Sequence, residues 1–319
     1  VQLDELEMQP EERNTTAALV RGVAAGFMRR RYSIRGFDAY VVSDVLPGSG
    51  LSSSAAFEVL LGTVINAMSG CALSPAEVAR IGQYAENEYF GKPSGLMDQT
   101  ASAVGGIVAI DFADPAAPVI TPVEFDFAGC GYALCIIDSG ADHAELTEEY
   151  AAIPNELKAV CRVFGKEHLR EVDEQEFYVR IAEVRRAAGD RAVLRAAHVF
   201  NENRRCAEET AALGEGDFER FLRLVSESGR SSWMYLQNVI PAGSTARQEL
   251  AFALLLCERL LGGRGAFRVH GGGFAGTVQA FVPEDMLADF RAGIDAVLGA
   301  GSCRVLSIRH EGGCMMEKM

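Results

Sequence analysis

The sequence has no Cys-x-x-Cys pair, although it holds eight cysteines, and its five histidines are scattered. A zinc site is not expected on these spacings. No apolar run reaches the length of a membrane span; Leu250–Leu256 sits inside an amphipathic helical pattern. The chain opens on the acidic stretch 1–13 and not on a charged-then-apolar leader. It does not open on Met, so it is expected to begin inside a longer gene product. Basic residues are in deficit, 30 Lys and Arg against 44 Asp and Glu, for a net charge of −14. Such a chain is a poor general binder of nucleic acid or of an anionic membrane. A single pocket for a small phosphate ligand is still allowed. Internal repeats and low-complexity tracts are missing too.

What is present is apolar material, 49% of 319 residues, enough for a sizeable core in two domains or one large one. Disorder, collagen and a disulfide-rich mini-scaffold are excluded. Cys135 and Cys257 lie in apolar runs and read as reduced core residues of a cytosolic protein.

Helical spacing of Ala18, Leu19, Val23 and Phe27 predicts a helix over 14–30. Alternation predicts a strand over 37–45. A Gly/Ser-rich stretch follows, then a helix to about Met68. Ser74-Pro75-Ala76-Glu77 is a helix start with a cap, a first-turn Pro and a Glu at the third position. That helix should carry Glu86 near its end, with Gly91 beyond it. A helix over 97–103 and strands over 106–112 and 130–138 come next. Further helices are predicted over 192–213, 218–228 and 246–261, with Asp217 and Thr245 as caps and Gln248 completing a capping box with Thr245. Strands at 266–270 and 277–282 flank a Gly-rich turn. A helix over 284–298 and a strand over 304–309 close the chain. Strands and helices alternate, so the class is α/β or α+β. A domain boundary is expected near Gly129, dividing the chain into 1–129 and 130–319.

Three places carry candidate chemistry. In the first, Gly48 and Gly50 let the backbone bend closely around a ligand. Ser52, Ser53 and Ser54 then open a helix, whose free N–H groups and dipole attract phosphate. No Gly-Lys-Ser/Thr follows, so this is not a Walker A loop. A plain serine-capped turn has the same composition. In the second, Gly271-Gly272-Gly273-Phe274-Ala275-Gly276 matches GxGxxG. A strand, not a helix, follows it, and no acidic residue ends a second strand at the distance a dinucleotide fold needs. It is a strained turn between strands or a backbone wall beside a nucleotide. In the third, Asp98 lies between a Gly/Pro-rich loop and an apolar helix, a place that suits a cap, a surface charge or a catalytic base. Glu86, taken alone, is a helix-end residue.

Together, Leu46–Ala56, the run Ala85-Glu86-Asn87-Glu88 with Gly95-Leu96-Met97-Asp98-Gln99, and Val269–Ala280 resemble the three motifs of the GHMP small-molecule kinases in their galactokinase form. The resemblance runs along essentially the whole chain. It implies an α+β, two-domain GHMP kinase fold. The N-terminal α/β domain (here incomplete) would have a left-handed crossover, and the C-terminal domain would be ferredoxin-like. It implies phosphorylation of the anomeric hydroxyl of galactose by ATP with Mg2+, in the cytoplasm. Residues Gly48, Ser49, Gly50, Leu51, Ser52, Ser53 and Ser54 would cradle the ATP phosphates. Ser54 and Glu86 would hold Mg2+, Asp98 would be the catalytic base, and Tyr150 would lie near the sugar. Gly271, Gly272, Gly273 and Gly276 would form the nucleotide-side turn.

The sequence departs from the family pattern in two places. The Gly-Glu-His-Thr-Asp-Tyr-like run with its upstream Arg is not found, and Val1 is expected to fall after it in the fold, leaving a sheet edge uncovered. Ala151-Ala152-Ile153-Pro154 stands where many galactokinases have Asn-Thr-Arg-Arg. N-acetylgalactosamine kinase, arabinokinase and a non-catalytic sugar sensor share the motifs and remain alternatives.

Overall fold

The computed structural model describes residues 1–45, 51–141 and 146–316. They form two compact units. The first holds Val1–Ile110, Val119–Pro122 and the residues from Ile308 onward; the second holds Asp111–Pro118 and Val123–Ser307.

The first unit is built on helices that approach through glycine. Helix α1 (Thr16–Arg29) starts at the Thr15 cap and buries Leu19, Val23 and Phe27. Gly22 and Gly26, one turn apart, lie on the same face. A Cβ on Gly22 would fall 2.7 Å from Ala85 Cβ, and one on Gly26 would fall 2.8 Å from Ile81 Cγ2. Helix α2 (Ser53–Ser69) meets α3 (Pro75–Tyr84) the same way, Gly62 against Val78. The predicted capping box on α3 is formed. Glu77 N donates to Ser74 Oγ at 3.4 Å, and Ser74 N donates to Glu77 Oε2 at 2.9 Å. Beyond Tyr84 the helix widens into a π-helical turn, Ala85–Phe90, closed by Gly91 at φ +84°. Helix α4 is Met97–Val104. Strands β1 (Ile107–Asp111) and β2 (Val119–Val123) make a two-stranded sheet. The C-terminal stretch returns here, with Gly106 N donating to Arg309 O at 2.8 Å.

The strand expected over 37–45 is not formed. Among the described residues no strand pairs with it, so its alternating pattern has no ladder to join. Tyr40 and Val42 are 94% and 75% exposed. Phe37, Tyr40 and Val42 instead border an open apolar groove of about 760 Å³ whose floor includes Val20 of α1 and Leu60 and Val64 of α2.

The second unit is an antiparallel sheet with helices. Strand order is β4-β5-β3-β6, with β3 Tyr132–Asp138, β4 Ala266–Val269, β5 Thr277–Pro283 and β6 Cys303–Leu306. Cys135 pairs with Ala280 on one side and Val305 on the other. Helices α5 (Thr147–Val163), α6 (Glu174–Val179), α7 (Ile181–Ala188), α8 (Asp190–Gly214), α9 (Phe218–Ser231), α10 (Glu249–Leu261) and α11 (Leu287–Leu298) complete it. Leu250, Cys257 and Leu261 of α10 and Phe290 and Ile294 of α11 bury the face of the sheet that holds Cys135, Ile137 and Val278. A separate core under α5–α8 centres on Val160, Phe177, Val184 and Phe200. All eight cysteines are free, and Cys135 and Cys257 are buried as expected.

Asp217 caps α9, accepting from Arg220 N at 2.9 Å. Thr245 does not cap α10, which starts at Glu249. The Gln248 amide reaches back to Ser244 O at 2.9 Å, so 244–248 closes a turn of its own and no capping box forms.

Candidate active site

Gly48, Ser49 and Gly50 lie outside the described residues, whereas Leu51 to Ser54 lie within them. Ser52 precedes α2 in the left-handed region, at φ +52° and ψ 57°, a conformation that is uncommon for a residue with a Cβ. Its carbonyl accepts from Ala56 N at 3.1 Å, which starts the helix. Its hydroxyl donates to Asp98 Oδ2. Two residues on, the Ser54 hydroxyl donates to Glu86 Oε1 at 2.8 Å. Two serines at one helix N-terminus thus meet the two acidic residues singled out from the sequence.

Each carboxylate is set by its own element. Asp98 is exposed in the first turn of α4, where the helix dipole favours an anion. Glu86 is 2% exposed, on the π-helical turn whose extra residue distinguishes it from a continued α3. The backbone N–H groups of Gly91 and Lys92 both donate to the Glu86 carbonyl, at 2.9 and 3.1 Å. That contact also brings the Lys92 ammonium to 3.5 Å from Glu86 Oε1.

Three participants were not singled out from the sequence. Lys92 is one. The others are Gln99 and Glu58, both buried. Gln99 Nε2 donates to Glu86 Oε2 at 2.8 Å and to Glu58 Oε2 at 3.0 Å. Burial pushes the Glu58 carboxyl up to about 8, against the opposing pull of the Gln99 hydrogen bond. Glu58 is therefore mainly neutral near pH 7. Glu58 follows Ser54 by one helical turn, a spacing that places both on one face of α2. That periodicity was the available signal, but a Glu in an amphipathic helix is ordinarily read as solvent-facing.

The site suits a hard cation. Its donors are a hydroxyl and a carboxylate, and Glu86 Oε1 already faces an ammonium group. Among the described residues no three Asp, Glu, His or Cys side chains converge. The arrangement is thus no dedicated metal cage. It resembles the sparse protein contribution that Mg2+ takes when phosphate oxygens and water complete its shell.

In the second unit the Gly-rich run is a strained connection between β4 and β5. Gly271, Gly273, Phe274 and Gly276 all have positive φ. A Cβ on Gly273 would lie 2.0 Å from Asn238 O, which leaves room for glycine alone. Its carbonyls are held from outside. Tyr150 Oη donates to Gly273 O at 2.7 Å, Asn238 Nδ2 to Gly272 O at 3.1 Å, and Ser139 Oγ to Gly276 O at 2.6 Å. Tyr150 also packs edge-on against Phe274, and burial raises its phenol. It is a half-buried tyrosine fastened to the turn and not a free surface residue.

Residues 18–106 match the model of the GHMP kinases N terminal domain, which points to a kinase of that class. A galactokinase of Actinobacillus pleuropneumoniae is 33% identical over 285 residues, covering 89% of this chain and 71% of that protein. A galactokinase of Glaesserella parasuis serovar 5 is 33% identical over 283 residues, covering 88% and 71%. Among solved structures, Lactococcus lactis galactokinase complexed with galactose superposes with a TM-score of 0.79 at 25% identity, covering 98% of this chain and 79% of that one. L. major mevalonate kinase, at 15% identity and a TM-score of 0.55, shares the fold. The chain belongs to the galactokinase family.

Proposed function

We propose that this protein transfers the γ-phosphoryl group of ATP to the anomeric hydroxyl of galactose, giving galactose 1-phosphate and ADP. The observation that carries this is the identity of 33% with galactokinases along nearly nine-tenths of the chain. The relative solved with galactose bound supports the sugar.

The residue roles belong to the same proposal. The anomeric oxygen attacks the γ-phosphorus, the bond from that phosphorus to the β,γ-bridging oxygen breaks, and ADP leaves. The proton of the attacking hydroxyl passes to an Asp98 carboxylate oxygen. Exposure of Asp98 and its place at the positive end of α4 support this role. The hydroxyl of Ser52, now on Asp98, is placed to turn to a phosphate oxygen when nucleotide binds. Gly48 to Ser54 line the phosphates, with the helix N-terminus of α2 behind them. Ser54 and Glu86 would hold Mg2+, which when bound offsets the negative charge of the β- and γ-phosphate oxygens. Tyr150, expected near the sugar, and Gly271, Gly272, Gly273 and Gly276, expected beside the nucleotide, would act as one joined feature, because Tyr150 Oη donates to Gly273 O. Residues 1–129 are read as the N-terminal domain and 130–319 as the C-terminal domain, with the stretch from Ile308 onward returning to the first compact unit; the family model's match to 18–106 supports the first. A cytoplasmic location suits a consumer of ATP with eight free thiols.

Asp98→Asn tests the base. Turnover should fall about 10²–10⁴-fold, the usual contribution of a positioned proton acceptor, with ADP still bound. Turnover close to that of the parent would remove Asp98 from this role.

A further inference from the structure

Glu58 has no part in the transfer described above, yet it is completely buried on α2 one turn from Ser54. A carboxyl group in such a place costs free energy that a leucine of similar size would not. The surroundings add to that cost. Glu58 Oε1, Gln99 Oε1 and Thr100 Oγ1 are all buried without a hydrogen-bond partner. The polar pocket is therefore poor as a source of stability, and its value has to be sought in what it orients.

The geometry supplies an answer. Gln99 Nε2 has two N–H donors, and both are used: one on Glu86 Oε2, one on Glu58 Oε2. With its Oε2 held this way, Glu86 presents Oε1 to Ser54 and Lys92. If the amide rotated, its oxygen would face Glu86 Oε2, and its two N–H donors would lose both acceptors. Glu58 is the second acceptor that opposes that rotation. Gly82 of α3 closes the pocket, since a Cβ there would lie 3.1 Å from Glu58 Cβ and 3.3 Å from Gln99 Cγ.

We propose that Glu58 is a positioning residue that fixes, through the Gln99 amide, the orientation of Glu86 toward the nucleotide-bound cation. This rests on Glu86 being a cation ligand. Ligand-orienting partners of this kind typically contribute about 10–100-fold in metal affinity.

The experiment is a titration of the purified protein and ADP with Mn2+, the free ion being read by its EPR signal, alongside thermal unfolding of each variant. Glu58→Leu should weaken Mn2+ binding at least about tenfold while melting at or above the parent temperature, because a buried carboxyl has been replaced by hydrocarbon. Glu58→Gln should recover most of the lost affinity, because its amide oxygen can accept from Gln99. A merely structural Glu58 would move the melting temperature and leave Mn2+ affinity alone, and that result overturns the proposal. Glu86→Gln separates the two levels. If Glu86→Gln binds Mn2+ like the parent, the assignment of Glu86 itself fails. If Glu86→Gln loses binding and Glu58→Leu does not, only the role of Glu58 fails. Should Glu58→Leu not fold, Gln99→Met removes the same relay and is judged by the same Mn2+ affinity.

Discussion

At the scale of single residues, one buried carboxyl, Glu58, sets the pH behaviour of the pocket behind the site. Glu58 and Glu86 share one amide, and burial raises the first to about 8. In the unfolded chain Glu58 titrates near 4.5. The native state therefore holds more protons between these values, and the stability that protonated Glu58 provides is full below about pH 4.5 and lost as pH rises to about 8. Glu209, raised to about 7 by burial, acts in the same direction. Glu58→Gln removes the first contribution only. Urea unfolding midpoints of this variant should decline less steeply from pH 5 to 8 than those of the parent; parallel declines would mean that Glu58 is ionised in the native state.

The sequence made the reactive pairs legible because each lies in a motif with its own signature. Ser54 stands in a serine run that opens a helix, Glu86 near a helix end before Gly91, and Asp98 after a Gly/Pro loop. Glu58 and Gln99 were not legible. Each reads as an ordinary polar position on a helix, and only the approach of α2, α3 and α4 turns both inward.

At the scale of elements, close approach at glycine decides where Glu86 sits. A Cβ on Gly22 would meet the Ala85 backbone at 2.8 Å, one residue before Glu86, and backbone cannot move aside as a flexible side chain can. Gly22→Ala should cost about 1–3 kcal/mol, the range for overpacking, and should also weaken Mn2+–ADP binding by displacing the π-helical turn. Stability lost with unchanged Mn2+–ADP affinity would show that the turn holds its place independently of α1. Ser74→Ala provides a contrast. It removes the capping box of α3 and should cost about 1 kcal/mol with little change in KM for ATP. The helices were readable because their caps and periods agree. The alternation over 37–45 does not yield a strand, because alternation specifies a face and not a partner. Tyr40 and Val42 have the pattern of a half-buried strand, and no described strand lies beside them. The Thr245 cap failed for a related reason: a local turn, held by Gln248 on Ser244, won over the start of the helix.

At the scale of the whole molecule, the proposed function requires an acidic protein with a net charge of −14 to bind a polyanionic nucleotide, which it would do through local means: serine hydroxyls, a helix N-terminus and a cation. Nucleotide should then stabilise the native state. Thermal unfolding with MgATP at a hundred times its dissociation constant should reflect about 2.7 kcal/mol of added stability. An unchanged transition at millimolar MgATP would contradict a working nucleotide site.

The central claim, phosphoryl transfer to the anomeric oxygen of galactose, is tested most directly by 31P NMR of the purified protein with galactose and MgATP. The expected spectrum shows ADP and galactose 1-phosphate growing in equal amounts as ATP falls. Inorganic phosphate in place of the sugar phosphate, or ATP left intact while the nucleotide is demonstrably bound, would contradict it.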